Sequence, residues 1–436
     1  MALLFMVMLV TAAGNTAMQS VMPSIGTALQ VDDVWISLAY TWSALLWMVC
    51  APIWARRSDR RGRKAMMALG LIGFIASMGL CGLILWLGLA GVIPAVATLI
   101  AFAIARSLYG GFGSAAPPAV QAYVAARTGR AERTQALSLI ASSFGLGTVI
   151  GPALAPLMVM PGVGLVGPFI AFALIGIITL IALRVFLPND TPRYEARGKA
   201  YGAPYGASSN EAHDDDGDDD SGDDGDDDST DGQGKDVAAK NMGWFEPRLR
   251  PWIVAGLLGG HAHAMVLGIS GFLVLDRLGL RDTPAEGAGP VGLVLMAGAI
   301  ATLLAQWGVI PRFDLGPRAA ILSGVALAAA GVLMFGAAQD LHGIALGYAI
   351  ASLGFGLFRP GFNAGASLAV SRAEQGEASG VVASVTGAAF IVAPALGVLL
   401  YNWSEWFGFA VIIGLCGAVF VIGWAGLTRD EVAVRD

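Results

Sequence analysis

Residues 55–64 read ARRSDRRGRK, five arginines and one lysine around Asp59 and Gly62, set between two long apolar runs. Each of these cations would cost roughly 2.5–3.5 kcal/mol at the centre of a hydrocarbon layer. The stretch is therefore expected as a short loop at a membrane surface. Cytoplasmic loops retain Lys and Arg, so that surface is the inner one, and the orientation of every other span follows by alternation. Asp59 is expected where the following helix begins, favoured there by the helix macrodipole and the adjacent guanidinium groups.

Composition points the same way. Of 436 residues, 56% are hydrophobic and 13% charged, with a mean hydropathy of +0.67. Soluble domains carry about 25% charged residues, so an integral membrane protein is expected. The net charge of −6 comes from one acidic segment, and nothing resembles a nucleic-acid surface. Cys50, Cys81 and Cys416 lie inside apolar runs without metal or redox spacing, and read as small buried apolar residues.

Outward from the basic stretch, apolar runs occur at about 3–29, 34–54, 65–89, 93–125, 136–160 and 166–187, then at 250–275, 290–310, 318–338, 343–369, 378–401 and 406–427. Each exceeds the roughly 17–20 residues a helix needs to cross. The reading is an all-α membrane protein of twelve transmembrane helices. It divides into an N-terminal six-helix bundle (1–187), a cytoplasmic linker (188–247), a C-terminal six-helix bundle (248–429) and a tail (430–436). The first run has no charged leader and continues past Pro23, so no cleaved signal peptide is expected. Of the 26 Lys and Arg, 22 fall in inner loops or the tail, Arg277 and Arg281 in outer loops, and Arg106 and Arg359 within spans. Both termini are thus expected in the cytoplasm, with the protein in the inner (plasma) membrane.

Between the halves, HDDDGDDDSGDDGDDDSTDGQGKD begins at His213. Like charges among Gly and Ser cannot bury surface, so a disordered tether is expected. The aspartates lack the spaced glutamate of a calcium-binding loop, and no metal site is expected. The halves also repeat. An offset of 242 aligns Pro118 with Pro360, Arg130 with Arg372, Glu132 with Glu374, Gly145 with Gly387 and Pro152-Ala153-Leu154 with Pro394-Ala395-Leu396. The basic loop has an echo in RFDLGPR, Arg312–Arg318. Two six-helix repeats about a midplane site are the pattern of a transporter whose halves rock.

On these residues the chain resembles the major facilitator superfamily, most closely its twelve-span drug:proton antiporter branch. Asp59, Arg60, Gly62, Arg63 and Lys64 fall on the types of that family's loop motif, with Ala55 in place of its first glycine. Arg106, in ARSLYGG, is similar to the family's buried arginine. GLGTVIGPALAP is similar to its antiporter motif through Gly147, Gly151 and Pro152, with Ala155 replacing a final glycine. The resemblance implies two pseudo-symmetric six-helix bundles and export of small lipophilic or amphipathic compounds by proton antiport. It also implies that Asp59 caps a helix and pairs with arginines across the inner gate.

Buried charge should mark the function. Arg106, His261, His263, Asp32 and Asp33 are the candidates for proton coupling, and no Asp or Glu occupies the middle of a predicted span. Asn15, Gln19, Tyr40, Tyr123, Arg359 and Asn363 are candidates for the substrate cavity, whose sparse fixed charge favours a neutral or cationic lipophilic compound. Protons, a small-molecule substrate and the lipid bilayer are the expected partners of a monomer without cofactors. An importer or facilitator of the same fold is the alternative. A sensor or enzyme is remote, since no Ser/His/Asp or nucleotide-binding constellation occurs.

Overall fold

The computed structural model describes residues 1–125, 127, 130–160, 162–188, 246–370 and 374–427. The first half contains α1 (Ala2–Ala28), α2 (Asp33–Arg61), α3 (Arg63–Leu89), α4 (Ala95–Gly111), α5 (Ala116–Ala125), α6 (Arg130–Leu154) and α7 (Gly167–Phe186). The second contains α8 (Arg250–Arg277), α9 (Pro284–Leu304), α10 (Ile310–Phe313), α11 (Pro317–Ala337), α12 (Leu341–Leu368), α13 (Gln375–Trp403) and α14 (Glu405–Gly426). A 3-10 turn at Gly113–Ala115 joins α4 to α5 in one span, and a π turn at Ala305–Val309 joins α9 to α10 in another.

Among the described residues, 11 helical segments are long and apolar enough to cross a membrane. The twelfth segment is α6 with the 3-10 turn after it, whose apolar part is Ser142–Met158. Helices are what such runs form, because hydrocarbon offers the backbone no hydrogen-bonding partner and the chain must satisfy itself. The expected linker lies outside the described residues from 189 to 245, as does the tail from 428.

The basic stretch differs from its expected form. Helix α2 does not end before Ala55 but continues through Arg61, and the break is a single residue, Gly62. Its φ of 89° is open to glycine at little cost, and its N–H closes α2 on Ser58 O at 3.1 Å. Asp59 therefore lies in the last turn of α2 rather than at the start of α3. Arginine is a good helix former and needs no loop once the helix leaves the hydrocarbon. The side chains of Asp59 and Arg60 lie outside the described residues.

Within the halves, α1 packs on α6 and α8 packs on α13, the same pairing repeated. Across the halves, α2 packs on α13, α6 on α9 and α1 on α9. Thr41 on α2 donates to the Ile391 carbonyl on α13 at 2.5 Å. One buried cluster runs through both halves, from Met18, Phe74 and Phe102 to Phe272, Phe355 and Val385. A second, with Leu4, Met67, Ile140 and Leu183, fills the first half.

Both copies of the basic motif end in the same contact. Lys64 Nζ donates to the carbonyls of Arg184, at 3.0 Å, and Leu187, at 2.5 Å, where α7 ends. Arg318, in the echo motif, donates through Nη2 to Trp424 O at 2.8 Å and through Nε to Gly423 O at 3.3 Å, where α14 ends. A cation on the unpaired carbonyls of a helix C-terminus complements its partial negative charge. Arg318 also covers the Trp424 ring at 5.4 Å.

Candidate functional site

Arg106 lies in α4 and is 2% exposed. It sits there because α4 and α5 form one continuous apolar span, with the guanidinium turned into the first half. Its Nη2 donates to Asn15 Oδ1 on α1, and its Cζ lies 4.4 Å from the Tyr109 ring centre. Tyr109 in turn packs on Trp47 at 5.1 Å and on Phe74 at 5.9 Å. Among the described residues, Arg106 Nε and Nη1 have no hydrogen-bond partner, nor has the hydroxyl of Tyr40. The Tyr40 ring stands edge-on to Phe102, one turn before Arg106, at 6.3 Å. An unmatched buried donor costs about 1–3 kcal/mol, so Arg106 and Tyr40 hold unmet hydrogen-bonding capacity inside the first half.

Gly147 and Gly151 form the seam between α6 and α1. A Cβ on Gly147 would come within 2.7 Å of Leu9 O and of Ala12 Cβ, and one on Gly151 would run into Thr16 Oγ1 and Ala13 O. Backbone thus lies against backbone, as small residues allow in membrane bundles. Thr16 adds a hydrogen bond to Gly147 O at 3.3 Å. Pro152 lies inside α6, with its carbonyl against Gly292 of α9 in the other half. The second half mirrors this, with Gly268 of α8 seated on the backbone of Pro394.

At the end of the bundle opposite Gly62, the halves are joined by a charged network. Arg281, between α8 and α9, donates to Asp33 Oδ1 and Oδ2, both at 2.8 Å, and to Thr27 Oγ1 at 3.2 Å. Its Nε donates to Asp276 Oδ1 at 2.7 Å, and Tyr401 OH donates to Asp276 Oδ2 at 2.8 Å. Thr27 and Asp33 belong to the first half, the rest to the second. Partial burial acts to lower the Arg281 pKa, but Asp33 and Asp276 outweigh it and hold the guanidinium above its ordinary range. Asp32 is exposed and outside this network, whereas Asp33 is buried in it. Nearby, Arg277 pairs with Glu405 at 2.8 Å.

The remaining candidates are dispersed. His261 Nδ1 lies 2.7 Å from Leu257 O of its own helix. His263 is stacked on Phe355 at 4.7 Å, with Phe390 edge-on at 5.8 Å. Gln19 is half-buried one turn after Asn15, and Arg359 and Asn363 are exposed one turn apart on α12. Tyr123 is 4% exposed in the smaller core cluster, beneath the Arg127 guanidinium. Arg63 is half-buried at the start of α3. Sequence reasoning missed Arg281, Asp276 and Tyr401. The signal was present, since Arg277 and Arg281 are the two arginines that break the inward bias of positive charge, and both are paired with carboxylates.

The sequence profile of the Major Facilitator Superfamily matches residues 4–314. The class C tetracycline resistance protein of Escherichia coli is 27% identical over 393 residues, 88% of this chain and 85% of that protein. A probable actinorhodin transporter of Streptomyces coelicolor is 28% identical over 426 residues, 89% of this chain and 69% of that protein. Among solved structures, a bacterial homologue of the human lysosomal transporter Spinster, inward-facing and occupied, superposes with a TM-score of 0.68 at 12% identity, covering 100% of this chain and 96% of that one.

Proposed function

Since the chain belongs to the Major Facilitator Superfamily, and so is a multi-pass membrane transporter, we propose that it exports small lipophilic or amphipathic compounds by proton antiport and alternating access. The observation that carries this reading is the closure of the bundle at the end remote from Gly62. The Arg281 network fastens the halves at the end opposite Gly62, while the buried polar site at Arg106 lies between the ends. A transporter that releases its cargo at the Arg281 end must break that network once per cycle.

The basic motif at Gly62 marks the cytoplasmic end in this reading, which makes the Arg281 end the outer one. Export is favoured over import by the α1–α6 seam at Gly147 and Gly151, the motif that resembles antiporters, and by relatives named for tetracycline resistance and actinorhodin transport. Every Asp and Glu in the helices lies within three residues of a helix end. The proton carrier is accordingly assigned to Asp33, whose neutralisation removes the charge that Arg281 grips, with His261 and His263 as the other titratable groups of the spans. Reconstitution into liposomes with a panel of amphipathic dyes tests the reading. Dye movement that tracks an imposed proton gradient supports it, and dye movement indifferent to the gradient refutes antiport.

A further inference from the structure

Arg106 is a fixed positive charge buried inside the first half, and its described partners are neutral. Arg106 and Arg359 lie in the middle of helical spans, while each helical carboxylate is confined to a helix end. Arg359 is one turn beyond Phe355, the ring on which His263 is stacked, so the second half presents a guanidinium on that face of α12. In the first half, Arg106 is 2% exposed and meets one neutral acceptor, Asn15. Its Nε and Nη1, and the hydroxyl of Tyr40 near Phe102, are buried donors without acceptors among the described residues. A guanidinium cannot shed its proton to escape this cost, unlike a buried lysine or histidine.

We infer that Arg106 binds an anionic group of the transported compound, a carboxylate or an ionised enol or phenol, through the guanidinium N–H groups that Asn15 leaves open, with Tyr40 as a further donor. This rests on the reading of the chain as a small-molecule exporter and sharpens it. Each fork of a guanidinium, Nε with Nη2 or Nη1 with Nη2, presents two parallel N–H groups that match the two oxygens of a planar acid, and Nη2 keeps one N–H for this when Asn15 takes the other. Half-buried Asn15 is the side from which the acid arrives. Half-buried Trp47, packed on the Tyr109 ring that lies under the guanidinium, supplies the apolar wall for the rest of the molecule. The same positive field rejects amines, which reverses the expectation of a neutral or cationic cargo drawn from the sequence.

The test uses the full chain in phosphatidylcholine nanodiscs and matched triplets of carboxylic acid, amide and amine on aromatic and aliphatic skeletons, naphthoate, naphthamide and naphthylmethylamine among them. Binding is read by quenching of tryptophan fluorescence. Acids should bind about tenfold or more tightly than their amides, and amines less well than amides. Arg106→Gln should reduce the acid-to-amide ratio to about one, and Arg106→Lys should keep part of it. The acid-to-amide ratio of the unaltered protein tests the site even if both variants fold poorly. Amides or amines binding as tightly as acids, or an acid preference that survives in a folded Arg106→Gln protein, would overturn the subsite and leave the exporter reading intact. Acid preference abolished by adding phosphatidylglycerol to the nanodiscs would make a lipid phosphate the occupant and overturn it too. If no member of any triplet binds or is moved across liposomes, the exporter reading falls and takes the subsite with it.

Discussion

The guanidinium of Arg281 and the carboxylate of Asp33, 248 positions apart in the chain, meet edge to edge, with both Nη-to-Oδ distances at 2.8 Å. This paired geometry is the most directional contact an ion pair can make. It joins the first half to the second across the end of the bundle remote from Gly62. The pair is partly buried, with Asp33 the deeper member, so it is worth more than a surface bridge.

Asp33→Asn and Arg281→Gln should each loosen that end. A cysteine placed at Gln19 would then react faster with a membrane-impermeant maleimide added on the Arg281 side. An increase on the order of tenfold corresponds to about 1.4 kcal/mol of lost closure. Labelling at the original rate in both variants would mean that the pair does not hold the halves together.

The pH dependence of closure has a definite sign. The Arg281 pKa is raised above its ordinary value, so its contribution is complete at any pH below that ordinary value and is lost only as pH rises through the raised one. Between about pH 7 and pH 9, far below the ordinary arginine value, labelling at position 19 should stay constant relative to a fully exposed reference cysteine at the same pH, which corrects for the thiolate fraction. Loosening between neutral and alkaline pH would contradict the assignment.

Gly151→Ala should impair the seam of α6 on α1 more than Gly147→Ala, because its Cβ meets both Thr16 Oγ1 and the Ala13 carbonyl. Overpacking of this kind costs about 1–3 kcal/mol. Thermal denaturation in detergent should register the loss. Thr16→Ala should restore only part of it, since the Ala13 carbonyl is backbone and cannot be trimmed away.

Lys64→Met and Arg318→Met should each fray the end of the last helix in their own half. Each cap contributes about 0.5–1.5 kcal/mol. Their described acceptors lie on different helices, α7 and α14, so the double variant should show the sum. Hydrogen exchange at the ends of α7 and α14 is the measurement, and equal exchange in the variant and the parent would dismiss the capping role.

These predictions draw unevenly on the sequence. The twelve segments were legible because membrane helices are written in continuous apolar runs, and their expected bounds lie within a few residues of α1, α3, α7, α11 and α14. Arg106 was legible as a charge inside such a run. The helical course of residues 55–61 was not, since a charge cluster says that a segment leaves hydrocarbon but not that it unwinds. Lys64 on the end of α7, Asn15 on Arg106 and Arg281 on Asp33 depend on distant elements meeting, and hydropathy carries no information about which loop residue faces which.

The central claim is that outward movement of an amphipathic compound is driven by protons entering where Arg281 grips Asp33. Liposomes holding the protein in one orientation, with acid imposed on the Arg281 side, test it directly. Dye should move from the Gly62 side to the acid side, stop when an uncoupler collapses the gradient, and lose its dependence on the gradient in Asp33→Asn. Dye that moves away from the acid side together with protons, or at the same rate with and without the gradient, would contradict the account.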